Sequence, residues 1–155
     1  MIRVLPMLMG LLMPACGFEG TAGLPVPGLM DTARIERPTS PNTALAAPAD
    51  FAPAPDITTQ AYAVPPDRLF AAIRAVALAQ PRVYEQAVFA AERQVHYVAR
   101  SDWLNFPDLI TVQVTPQGGL IVWSRSVYGE SDLGVNRKRV QTWLAALDGA
   151  LNAPP

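Results

Sequence analysis

The chain has 155 residues, a formal net charge of −1, 16 prolines, 10 glycines, one cysteine and one histidine. That length suits one domain with a modest core and not two. The near-zero charge, without a broad basic patch, excludes nucleic acid as a partner, and a lone Cys with a lone His leaves no internal disulfide and too few ligands for zinc. No phosphate-cradling loop or dinucleotide fingerprint occurs, so no cofactor is expected.

Residues 1–15 have the layout of a secretory signal. Arg3 and the amino terminus supply a thin positive region, Val4 to Met13 form an apolar stretch too short to cross a bilayer, and Ala15 is small enough to precede a cut. The run Leu12-Met13-Pro14-Ala15-Cys16-Gly17 resembles the lipobox of bacterial lipoproteins, with Met13 and Pro14 where Leu and a small residue are usual. The resemblance implies that Cys16 is acylated and becomes the mature N-terminus, which leaves the mature domain without a thiol. Several acyl chains on one residue hold firmly, since each buried methylene contributes ~0.8 kcal/mol. It also implies a place in the cell envelope facing the periplasm, with the membrane as partner through Cys16. Gly17 is not the Asp that retains such proteins in the inner membrane, which points to the outer one.

From Gly17 to about Thr59 the chain is rich in Pro, Ala, Gly and Thr, and its prolines (Pro25, Pro27, Pro38, Pro41, Pro48, Pro53, Pro55) forbid a continuous helix or central strand. Residues 16–35 read as a flexible tether. Residues 36–59 read as an extended arm along the domain surface, with Leu45, Phe51 and Ile57 as anchors.

Residues 60–151 alternate cleanly. Pro65-Pro66-Asp67 begins a helix in the way prolines favour a first turn, Leu69, Ile73 and Val76 follow at helical spacing, and Pro81 stops it. Val83 to Ala90 and Gln94 to Arg100 read as a hairpin turning near Ala91-Glu92-Arg93. The alternation places His96 opposite Val95 and Tyr97, towards solvent. Asp108 to Thr115 and Leu120 to Ser126 form a second hairpin, in which Gly118-Gly119 supplies the positive φ angles of the turn. A last helix spans about Leu133 to Leu151, with Val140, Trp143, Leu144, Leu147 and Leu151 on its buried stripe. The expected fold is α+β: a small two-layer sandwich, helix, four mostly antiparallel strands, helix.

Phe106-Pro107-Asp108, the stretch Ser124 to Gly129, and Ser131-Asp132-Leu133-Gly134-Val135-Asn136-Arg137-Lys138-Arg139-Val140 resemble the signature of the family called domain of unknown function 1499. Ser40-Pro41-Asn42 is similar to that family's N-terminal motif, and the likeness covers roughly residues 36–147. It implies a fold unit without an established activity. The chain has Thr43 where the family often has Cys, so no thiol role carries over. Its Ser124-Arg125-Ser126-Val127-Tyr128-Gly129 moves the family's arginine by two places, onto the same strand face.

The same residues carry the one unusual polar constellation. With Asp132 as helix cap, Asn136 and Arg139 follow four and seven residues on, so all three line one helical face that continues into Trp143. A polar triplet merging into an apolar stripe implies half-buried groups that need partners, and Asp108, Ser124 and Ser126 are the candidates. One reading is a network that clamps the last helix to the sheet. The other is an anion site at the helix start, with Arg125, Arg137 and Lys138 as contacts. Trp103, Leu104 and Phe106 form a loop that either meets a partner or lipid or folds back on the core. The expected function is a non-enzymatic, lipid-anchored envelope domain that binds an envelope protein or an anionic ligand. The alternative is a small hydrolase or transferase using Asp108, Asp132 and Arg139.

Overall fold

A computed structural model describes residues 17–153, so the expected signal segment and Cys16 lie outside the described residues. In chain order the regular elements are β1 (Thr43–Ala47), β2 (Ile57–Thr58), α1 (Pro66–Leu78), β3 (Val83–Phe89), β4 (Gln94–Arg100), β5 (Pro107–Val114), β6 (Leu120–Ser126) and α2 (Val135–Asn152). Pro66 opens α1, where a missing N–H costs nothing, and the helix buries Leu69, Phe70, Ile73, Val76 and Ala77 at three- and four-residue spacing. Between β5 and β6 only Gly118 takes a positive φ, of 81°. Gly119 answers a different demand, because a Cβ there would lie 3.0 Å from Thr115 Oγ1 and 3.1 Å from Pro48 Cγ.

The four expected strands pair in sequence as antiparallel neighbours, and two more join them to make a six-stranded mixed sheet of order β2-β1-β6-β5-β4-β3. The expectation of four strands is therefore corrected. β1 runs antiparallel to β6, with Ala44 opposite Ser124 and Leu45 opposite Trp123, and β2 lies parallel to β1 at the edge. Neither was visible in the residue pattern, for a physical reason. β1 reads Thr-Ala-Leu-Ala-Ala and is covered on both faces, so no polar alternation marks it, and β2 is two residues long. Asp56 ties the pair together by accepting the Leu45 N–H at 2.8 Å. Burial pushes its carboxyl up, but hydrogen bonds from Arg37 and Leu45 and the charges of Arg37 and Arg137 outweigh that and hold it below the usual carboxylate range.

Both helices pack on one sheet face. Their buried side chains share a core with Ala44, Ala46, Val95, Tyr97, Ile110, Val112 and Val122, and Tyr97 meets Trp143 edge to face at 5.7 Å. The other face is not left to solvent. Leu45, Ala47, Ile121 and Trp123 form a second, smaller cluster with Ile35, against which Met30 and Phe51 pack.

Residues 17–35, where a loose spacer was expected, lie against that second face. Arg100 donates to the carbonyls of Gly20 (2.7 Å) and Ala22 (2.9 Å), Gln86 to that of Pro25 (2.9 Å), and Gln94 exchanges two bonds with the Met30 backbone. Thr32 donates to Gln113 at 2.7 Å. Side chains of the sheet thus hold backbone of the strap, a kind of attachment that leaves no hydrophobic period behind. Covering this face also buries His96, which is 5% exposed rather than turned to solvent. Its ring lies 3.0 Å from both Thr111 Oγ1 and Gln94 Oε1. Burial lowers its pKa, against a bond to the Gly28 backbone that raises it, so the ring stays neutral at pH 7.

Candidate functional site

Asn136 sits at the centre of the polar constellation, fully buried on the first turn of α2 over the ends of β6 and β1. Its amide nitrogen lies 2.9 Å from the Asn42 carbonyl, 2.9 Å from Ser126 Oγ and 2.8 Å from Asp132 Oδ2. Its amide oxygen accepts from Ser124 Oγ at 2.5 Å and from Arg139 at 2.8 Å. Arg139 donates in addition to Ser124 Oγ at 3.1 Å and, through its other terminal nitrogen, to Asp108 Oδ2 at 2.6 Å. The side chains of that ion pair are 14% and 10% exposed. Asn42, delivered by the turn before β1, donates to the Gly129 carbonyl at 2.6 Å and so ties in the loop after β6.

All six residues expected in the network (Asp108, Ser124, Ser126, Asp132, Asn136, Arg139) therefore meet. Two details differ from expectation. The residue preceding α2 is Gly134, at φ 81°, and not Asp132. Asp132 still serves the helix start from two residues further back, accepting the N–H of Gly134 at 2.9 Å and that of Asn136 at 2.8 Å. The second detail is Asn42, which the sequence offered only within a family motif and which brings the strand ahead of the domain's first helix into the network. Asp132→Ala should cost about 1–2 kcal/mol, since it removes a cap and one acceptor of the Asn136 amide. A thermal melt matching or exceeding the parent would show that Asp132 is held for something other than stability.

The expected anion contacts line three grooves, of which those of Arg125 and Arg137 adjoin at Arg37 and Ser40. Arg125 lies on the strap side of the sheet in a groove with Arg37 and Ser40. Arg137 reaches the Asp56 carbonyl at 3.2 Å in a second groove, with Asp132. Lys138 lines a third, with Trp103 and Val135. A groove of about 790 Å³ at the opposite end of the sheet, beside the β5–β6 turn, has Asp50 and Tyr62 as its ionisable lining groups. Among the described residues no group of three His, Cys, Asp or Glu could hold a metal. No buried side-chain polar atom of the network around Asn136 lacks a hydrogen-bond partner, so the network is internally satisfied.

Residues 35–147, most of the chain, match the family model described as protein of unknown function (DUF1499). The chain belongs to the DUF1499 family. No curated protein and no solved structure gave a significant match. The DUF1499 match begins at Ile35, which packs under β1, and ends at Leu147, the last buried residue of α2. It thus takes in Asn42 and every member of the Asn136 network, and leaves the strap ahead of Ile35 outside.

Proposed function

We propose that this protein is a lipid-anchored component of the bacterial cell envelope whose domain acts by holding and binding, without a reaction of its own. The observation that carries the non-enzymatic part is the enclosure of the Asn136 network. A catalytic constellation needs groups converging on an open cleft where a reacting atom can sit. Here Asn136 and Ser124 are fully buried, Asp108 is taken by Arg139, and Asp132 is taken by two backbone N–H groups. Asp108 is bonded directly by Arg139 and Asp132 by Asn136, so both carboxylates are spent within the network, which argues against the hydrolase or transferase reading. An arrangement of this kind joins α2, β5, β6 and the start of β1 into one unit.

The anchor reading rests on the lipobox-like run ending in Cys16 and on its apolar, singly basic lead. Cys16→Ser is expected to abolish incorporation of labelled fatty acid and to leave the precursor unprocessed. Equal labelling of parent and variant would remove the anchor. Because Lys138 lines a groove apart from the adjoining grooves of Arg125 and Arg137, the arrangement favours an extended surface, membrane or protein, over one small anion held by all three.

A further inference from the structure

The antiparallel sheet sends the end of α1, the β4–β5 loop, the β6–α2 loop and the start of α2 to one end of the domain. Large apolar side chains collect there in the open. Trp103 is 96% exposed and Leu133 95%, with Leu104, Val135, Tyr84 and Phe18 also exposed. Core packing explains none of this. Leu133 holds a left-handed backbone, φ 54°, which is costly for a large side chain, in the turn that leads into α2. Trp103 and Val135 line the same groove, so the β4–β5 loop and the start of α2 make one patch.

The entry of the chain lies at this same end. Asn105, in the loop that carries Trp103 and Leu104, donates to the Phe18 carbonyl at 2.7 Å and accepts from Arg82 at 2.5 Å. A Cβ on Gly20 would lie 3.8 Å from Tyr84 Cδ1, so the chain passes against that ring, and Arg100 holds the Gly20 carbonyl. Phe18 is two residues from Cys16. The described chain therefore enters beside the loop that carries Trp103 and Leu104, with only one residue between Phe18 and the Cys16 of the proposed anchor.

From this juxtaposition we propose that the patch is a membrane-docking end: Trp103, Leu104 and Leu133 insert into the interfacial layer of the bilayer that holds the acyl chains of Cys16. The inference rests on the anchor reading above. An amphipathic Trp at the rim with Leu beside it is the composition that favours that layer. Charge contributes little, because Asp102 of the same loop pairs with Arg82 at 3.6 Å. Apolar insertion next to a covalent anchor is the driving force, so docking should persist on uncharged lipid and at high salt.

Trp103 itself provides the readout, since Trp123 and Trp143 are buried. The full-length protein made in bacteria is extracted, weighed intact to read acylation at Cys16, and reconstituted into phosphatidylcholine vesicles containing lipid brominated near the headgroup end of its acyl chains. Docking predicts a blue-shifted Trp103 emission that is quenched by the bromolipid and shielded from aqueous acrylamide. The quenching should disappear in Trp103→Phe and weaken in a Leu104→Ser, Leu133→Ser variant, whose substitutions are exposed and leave the fold intact. Vesicle-bound protein whose Trp103 stays open to acrylamide and untouched by bromolipid would overturn the docking end. Intact protein without acyl chains would overturn the anchor instead, so the two failures are read from separate measurements.

Discussion

Asp108→Ala is expected to destabilise the domain by about 3–5 kcal/mol, because it leaves a buried guanidinium without its carboxylate. Arg139 is only 14% exposed in its side chain, and its remaining partners, Asn136 Oδ1 and Ser124 Oγ, are neutral. Arg139→Ala should cost less than Asp108→Ala, since removing the long Arg139 side chain opens Asp108, at the sheet end, to water. The double variant should cost clearly less than the sum, as expected for two residues whose chief loss is each other. Denaturant unfolding of the four proteins in the cycle measures this. Near-additive losses would mean that the pair contributes little and that each residue acts through separate contacts.

The second large effect is expected at Asn136. Replacing it with Ala should cost about 2–4 kcal/mol, through lost hydrogen bonds and a void that α2 cannot close without moving off the sheet. Asn42 O keeps one donor, the N–H of Ser126, and Ser124 keeps Arg139. What is lost is the link between them: the single side chain that touches the turn before β1, the end of β6 and the Asp132 loop together. Asn136→Asp keeps the shape, yet sets a carboxylate against Asp132 and the Asn42 carbonyl, so rescue by the isostere should fail. Full rescue by Asp would show that the volume at this position matters and its donors do not.

Much of this architecture was legible because the residue patterns matched what each element buries. α1 and α2 showed their stripes, β5 alternated, and prolines and Gly118 marked the boundaries. The network was legible too, since Asp132, Asn136 and Arg139 at helical spacing ahead of Trp143 required buried partners, and Asp108, Ser124 and Ser126 stand at the correct strand ends. The second sheet face was not. Its cover is a proline-rich chain held by Arg100, Gln86 and Gln94 through main-chain carbonyls, and such bonds depend on backbone shape, to which any residue type contributes equally. His96 was misplaced for the same reason, because its environment is made by a segment with no periodicity of its own.

That mode of attachment also has a mechanical side. Along residues 17–32 the contacts sit in series, a few bonds at a time, each from one sheet side chain to one stretch of strap. A pull on the N-terminus would load them one after another and peel the strap as a zip opens. β1 is of another kind: it lies inside the sheet, in register with β6 over four residue pairs, and Asn136 grips the carbonyl just ahead of it. Peeling therefore has a stop. Residues 17–34 drawn straight would reach roughly 60 Å at about 3.3 Å per residue. Strap and stop thus divide a load along the chain: the strap ahead of Ile35 gives first, while β1 and the core cluster that holds Ile35 resist.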